Sequence, residues 1–158
     1  MENPDILANG SAMPFGDCTV ENFLCLALLE HAKEPGSILT EMHRTMKHGA
    51  KALIWVPFYR REHNYPIDNY RYTCGGINEL CRQAGFNVLS CSSDAYGGLF
   101  FVLSHSIRFM ICDPHKVSRY NPLLYLHAVF CKLSALDSIF KLKYPNLYTG
   151  VDVVVEKE

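Results

Sequence analysis

No two cysteines in this sequence stand in a C-x-x-C pair, so neither a zinc framework nor a thioredoxin-type redox site is indicated. The opening MENPDILANGSAMPF has no basic start and no apolar core, so no signal peptide is expected in it. No run reaches the ~20 uninterrupted apolar residues of a membrane span. The nearest, Leu99 to Met110 and Asn121 to Phe140, are both broken by polar side chains. Charge of one sign is also missing: Lys+Arg 15 stand against Asp+Glu 16. Arg60-Arg61 and Lys141-Leu-Lys143 read as solvated surface, so no nucleic acid is expected as a partner. Internal repeats and low-complexity tracts are absent.

What remains is the composition of an ordinary globular protein, with 158 residues, 49% hydrophobic and 20% charged, enough for one domain. The cysteines number seven, an odd and scattered set. They read as free thiols in a reducing compartment, and the cytoplasm is the expected location. The sequon Asn9-Gly10-Ser11 is then a chance match.

The chain is organised around Val20 to His31, VENFLCLALLEH. Its apolar run without alternation suits a strand buried on both faces of a parallel sheet, although a buried helix would have the same pattern. Glu30 and His31 follow at its carboxyl end, where open α/β sheets place their ligands. Pro35 to Lys47 reads as a helix with Gly49 as its cap. Ala52 to Val56 reads as a strand stopped by Pro57. Thr73 is an N-cap for a helix from Cys74 to Ala84 that Gly85 ends, with Ile77, Leu80, Cys81 and Ala84 on one stripe. Phe86 to Cys91 and Val151 to Val155 read as strands. Between them lie the two apolar, helical stretches. Strands alternating with helices predict an α/β sheet.

Several segments then resemble the second half of class I S-adenosylmethionine-dependent methyltransferases, of the type 11 kind. These are SAMPF, LLEHAKEPGSILTEMHRTMKHGA, KALIWVPF, YRYTCGGINELCRQAGF and NLYTGVDVVVEK. The family reads D-x-x-x-L-P-F, v-L-E-H-v and E-x-x-R-v-L-K-P-G-G in this order, the last before a strand ending in proline. The resemblance implies a partial Rossmann-like sheet with a helical insertion at 97–145, all within one partial domain, 1–158. It implies S-adenosylmethionine as cofactor. It places the cofactor against Asn9, Gly10, Ser11 and Ala12 on the adenine side, with Asn9 where the family has an acid, and against Cys25 and Leu26 on the opening strand. A neutral hydrogen bond accepted by Asn9 from the adenine amino group is worth ~0.5–1.5 kcal/mol against ~1.5–3 for one to a charged group, so weaker cofactor binding is expected.

His31 is the candidate general base, its unperturbed pKa lying near neutrality. The alternative is that Glu30 and His31 only fix the loop after the strand. In the ubiquinone-pathway O-methyltransferases a motif E-x-x-E-H holds a divalent metal. Here Ala27 stands at its first position, so no metal is expected. The loop Arg60 to Thr73 offers Tyr65, Asp68, Tyr70, Arg71 and Tyr72. Tyr70, Arg71 and Tyr72 are the candidate acceptor-binding residues, with an Arg71–carboxylate pair as the structural alternative. The stretch 99–140 could cover the acceptor, lie on a membrane surface through its apolar face, or pack as core.

The family's G-x-G-x-G turn, which brings backbone amides up to the cofactor, is not in this sequence. The N-terminal glycine-loop half is therefore expected to be lacking, the chain being truncated or degenerate. Phe23 to Leu29 would then form an exposed apolar edge open to pairing. Two functions follow from this. One is methyl transfer to a small-molecule or glycan- or lipid-linked acceptor, incomplete in this chain. The other is a non-catalytic remnant that binds a protein partner, such as a full-length homologue, through the strand edge at 20–29.

Overall fold

A computed structural model describes residues 5–63, 67–93, 97–111, 121–140 and 147–158. The chain divides into two compact units.

The first unit takes residues up to Pro57, then Glu62–Ser92 and Val151–Glu158. Its strands are β1 (Val20–Leu26), β2 (Met46–Pro57), β3 (Asn87–Ser92) and β4 (Gly150–Glu156), in the order β1-β2-β4-β3. β1 and β2 are parallel, whereas β3 and β4 are antiparallel. Helix α1 (Pro35–Thr45) joins β1 to β2, and α2 (Cys74–Gln83) precedes β3. The core follows from period-2 burial in the strands. Ala50, Ala52, Ile54 and Val56 of β2 and Val151, Val153 and Val155 of β4 point inward. They are buried together with Ile38, Leu39 and Met42 of α1 and Ile77 and Cys81 of α2. Thr73 caps α2 as expected, its hydroxyl accepting from Gly76 N at 3.1 Å, and Gly85 follows at φ +96°.

Three expectations are corrected here. The opening strand is not buried on both faces. Among the described residues β1 is instead the exposed apolar edge that the lacking glycine-loop half implied: only Cys25 of it is buried, while Leu24 is 63% and Leu26 52% exposed. Leu24 pairs in register with Leu53, also exposed, so the outer face carries an apolar stripe. The strand also ends at Leu26 rather than Leu29. Ala27 turns to φ +50°, and Leu29–His31 wind into one 3-10 turn. Finally, Gly49 caps no helix. α1 stops at Thr45, Met46 is already extended, and Gly49 (φ +75°) lies inside β2. There the register with β1 shifts, from Val20↔Met46 to Asn22↔Lys51, as at a bulge.

The second unit takes Phe58–Arg61 and Ser93–Gly150, and so contains the stretch expected as an insertion at 97–145. Of that stretch, 112–120 and 141–146 lie outside the described residues. Helices α3 (Leu99–Ile111) and α4 (Pro122–Ile139) pack on each other. Phe100 stacks on Phe130 at 6.0 Å between centroids, and His127 Nδ1 donates to the Ser104 carbonyl at 3.0 Å, so the helices run antiparallel. Asp137 of α4, 2% exposed, caps α3: its two oxygens accept from Phe100 N (3.1 Å) and Phe101 N (3.0 Å). These amides are helix-start donors with no partner inside the helix. Gly98 makes room for the cap. It sits at φ +130°, and a Cβ there would lie 2.5 Å from Asp137 Oδ2. Tyr125, Leu126, Val129 and Ile139 of α4 are exposed. No described helix is long and apolar enough to cross a membrane.

Candidate functional site

The carboxyl end of β1 gathers the polar side chains of the first unit. The segment after the 3-10 turn, Ala32 to Ile38, forms one wall of a cavity of about 370 Å³, and Asn9 and Ser11 form another. That volume lies in the range of small-ligand sites. The leading segment is held there by α1. Glu41 accepts from Met13 N at 2.8 Å, and Arg44 reaches Glu41 (2.7 and 2.8 Å), the Phe15 carbonyl (2.9 Å) and Asp17. The Arg44 hydrogen bond, aided by Met13 N, holds the Glu41 carboxyl down at about 2.

Residues 9–12 form a tight turn: Ala12 N donates to the Asn9 carbonyl at 3.0 Å. Asn9 Oδ1 accepts from both Ser11 N (3.1 Å) and Ser11 Oγ (3.0 Å), an Asx turn of the usual kind. The carboxamide oxygen expected to meet an adenine is therefore engaged in shaping its own loop. Gly10 lies against Ile38, where a Cβ would come 3.4 Å from that side chain.

A second cluster lies around Glu30 and His31. The loop after β2 is laced to residues 29–33 by a series of hydrogen bonds. His31 Nδ1 donates to the Ile67 carbonyl (2.5 Å) and Asn69 N to the Glu30 carbonyl (2.8 Å). Asn69 Nδ2 reaches the Ala32 carbonyl (3.0 Å), Tyr70 OH that of Lys33 (3.0 Å) and Tyr72 OH that of Leu29 (2.9 Å). A carbonyl can only accept, so His31 carries its proton on Nδ1, and Nε2 lies 3.8 Å from Glu30 Oε1. Glu30 is 1% exposed, and its Oε2 has no hydrogen-bond partner. His63 lies edge-on to His31, with ring centroids 5.0 Å apart.

The sequence-derived candidates thus separate into groups. Asn9 and Ser11 line the cavity, whereas Gly10, Ala12, Cys25 and Leu26 are outside its lining. Cys25 and Leu26 are successive residues on opposite faces of β1. Burial, with Glu30 beside it, pushes the Cys25 thiol up to about 12, so it stays protonated and unreactive. Of the acceptor candidates, Tyr72 belongs to the core. It is buried with its hydroxyl spent on Leu29, and burial pushes its phenol well above the ordinary range. Arg71 forms a two-pronged pair with Asp68, Nη1–Oδ1 2.5 Å and Nη2–Oδ2 2.6 Å, the structural alternative named above. This pairing, with His63 N also donating at 2.9 Å, holds the Asp68 carboxyl well below the usual range. Tyr70 keeps an exposed ring beside Lys33. Tyr65 lies outside the described residues.

Sequence reasoning missed His63, Lys33, Glu34, Ser37 and Ile38 as site residues. His63 was legible only as one more polar residue in a loop assigned to this sheet edge. The others were absorbed into a helix start. Within the second unit, Arg60, Arg61, His105, Arg108 and Phe109 line another cavity of about 310 Å³. Burial first, then the Arg108 and Arg60 charges, lowers the His105 pKa.

No family model matches the chain, and no curated protein matches it. Solved structures do. The [4+2]-cyclase SpnF matches with a TM-score of 0.59 at 16% identity, over 95% of this chain and 55% of that one. The complex between the Haloferax volcanii Trm112 methyltransferase activator and a methyltransferase matches at 0.57 and 16%, over 99% and 64%. Haemonchus contortus phosphoethanolamine N-methyltransferase 2, in complex with S-adenosyl-L-methionine, matches at 0.53 and 13%, over 94% and 36%. The chain has the class I methyltransferase fold in part, and spans between about a third and two thirds of the length of these three structures. That one of them is a cyclase is a reminder that this fold carries more than one reaction.

Proposed function

We propose that this chain is a methyl-transfer domain of the S-adenosylmethionine-dependent kind, acting on a small-molecule or glycan- or lipid-linked acceptor. It would be complete only with a glycine-loop segment that its own sequence does not contain. The observation that carries the reading is the cavity between the Asn9–Ser11 turn and Ala32–Ile38, set at the carboxyl end of β1 in a sheet of this order. The residues present fit part of the cofactor. The 9–12 turn and Ile38 would take a flat ring, and nothing in the chain supplies the backbone cradle of a glycine-rich turn. When bound, the cofactor supplies an electrophilic methyl group on a sulfonium. The chain's contribution is positional. Arg44 and Glu41 hold the leading segment on α1, the 67–72 loop closes over residues 29–33, and His31, its proton held on Nδ1, would use Nε2 to take an acceptor proton.

Saturation-transfer NMR with S-adenosylmethionine tests this. Weak binding with contacts concentrated on the adenine protons is expected, reduced by Ile38→Ala. No transfer at millimolar cofactor would overturn the reading, and micromolar affinity would overturn its incompleteness.

A second reading rests on the β1 edge, with Leu24 and Leu26 exposed. A strand edge of this kind recruits other chains, which supports a non-catalytic module that binds a protein partner there. Stable capture of the partner with Leu24→Lys abolishing it, and no cofactor binding, would favour that reading over the first.

A further inference from the structure

Three ligand-type side chains converge beyond β1: one ligand atom from each of Glu30, His31 and His63 lies within 4.8 Å of the other two. Each imidazole is fixed through its other side. His31 Nδ1 donates to the Ile67 carbonyl at 2.5 Å, and His63 Nδ1 sits 3.1 Å from Asp68 Oδ2. An imidazole with Nδ1–H held on an oxygen acceptor carries its lone pair on Nε2, and such outer partners stand behind most metal-bound histidines. Asp68 suits that task because it is fully buried and bridged by Arg71, which keeps it an acceptor.

Glu30 supplies the independent observation. A carboxylate 1% exposed with an oxygen that has no partner is an unmet electrostatic demand, of the kind that an ion or a water answers. Neither histidine meets it by direct hydrogen bonding: Oε2 has no partner, and His31 Nε2 stands 3.8 Å from the other oxygen, Oε1. A cation seated among the three atoms would meet it.

We propose that Glu30, His31 and His63 form a binding site for a divalent first-row transition cation. Two imidazole nitrogens and one carboxylate oxygen suit zinc, cobalt or manganese, whereas magnesium and calcium prefer oxygen alone. Three protein ligands leave a coordination position for water or another oxygen ligand. The half-exposed His63 leaves the site open to entry. The absence of an acid at Ala27, which argued against a metal in the sequence, is made good by a histidine from the loop after β2. The cation and a substrate proton compete for the same His31 lone pair, so a loaded site would not use His31 as a base.

The test is a calorimetric and visible-absorption titration of chelator-stripped protein with Co²⁺, with neither cofactor nor acceptor present. Its failure therefore leaves the methyl-transfer reading standing, and the reverse also holds. One Co²⁺ per chain is expected, with d–d bands and no thiolate charge-transfer band, and with no competition from Mg²⁺. Glu30→Gln and His63→Ala should each weaken binding by about tenfold or more. His63 is half-exposed, so its variant keeps the fold by circular dichroism even if Glu30→Gln does not. No binding, a thiolate band, or unchanged affinity in folded His63→Ala would each overturn the proposal.

Discussion

Glu30 in the first unit and Asp137 in the second are both almost completely buried carboxylates, and the two are treated in opposite ways. Asp137 in the second unit has both oxygens engaged by the first amides of α3. Glu30 in the first unit, equally buried, has an oxygen with no partner and two imidazoles close by. A buried carboxylate with all its bonds made holds a fold together. One left short of bonds costs stability and is retained where something else is to bind. The contrast separates the acid that caps a helix from the acid proposed to hold a cation.

The sharpest way to break that contrast is at Gly98. Alanine there would be held at a positive φ and would drive its methyl into the Asp137 carboxylate. Gly98→Ala should cost about 3 kcal/mol or more, read by urea unfolding with a probe in α3 or α4. A change below 1 kcal/mol would mean that the cap is not what anchors α3.

Next comes the direct comparison of the two acids. In chelator-treated protein, Asp137→Asn should lose about 2 kcal/mol, because one of the two accepting oxygens is replaced by an NH2 group that faces a helix-start N–H. Glu30→Gln should be neutral or stabilising within about 1 kcal/mol, since it removes a buried charge that lacks full compensation. Equal losses in the two variants would erase the distinction drawn here.

Tyr72→Phe asks how far the scaffold around Glu30 depends on single bonds. Losing the hydroxyl bond to the Leu29 carbonyl should cost ~1 kcal/mol. The distance between His31 and Ile67, followed by the His31 ring proton shift, should stay unchanged if the loop is held by its other bonds.

The smallest effect is expected in acid. The folded pKa of Glu41 lies below its unfolded value of ~4.3, so its stabilising contribution is complete above that pH. The contribution is lost as pH falls through about 2. Arg44→Gln should therefore raise the midpoint of acid unfolding. An unmoved midpoint would show that the clamp on the leading segment carries no weight.

Much of the architecture was legible because local signals and tertiary packing agree in it. Thr73 and Gly85 bound α2 on the page as they do in space, and the alternation of strands with helices foretold the sheet. The burial of β1 was not legible in its own pattern, although the lacking glycine-loop half did foretell an exposed edge. The pattern of Leu24, Cys25 and Leu26 says that each can be buried, and only the neighbouring strands decide which is. Gly49 misled for a related reason, since a positive φ ends a helix or bends a strand with equal ease. The candidate site was half legible. Glu30 and His31 stand in the primary sequence at a strand end, but His63 joins them across a loop whose closure no local pattern encodes.

The order β1-β2-β4-β3 has a consequence for synthesis. Of the strands described, the one that leaves the ribosome last has to enter between two that are already out. A nascent chain ending before residue 150 can pair β1 with β2, but β3 has no neighbour to receive it. Both sides of the gap then wait with their backbone groups unpaired, and these pairings are distant in sequence and slow to form. The slot between β2 and β3 stays open until the Val151-Asp-Val-Val-Val155 segment has emerged to fill it. Any delay at that point leaves an aggregation-prone intermediate with two strand edges unpaired.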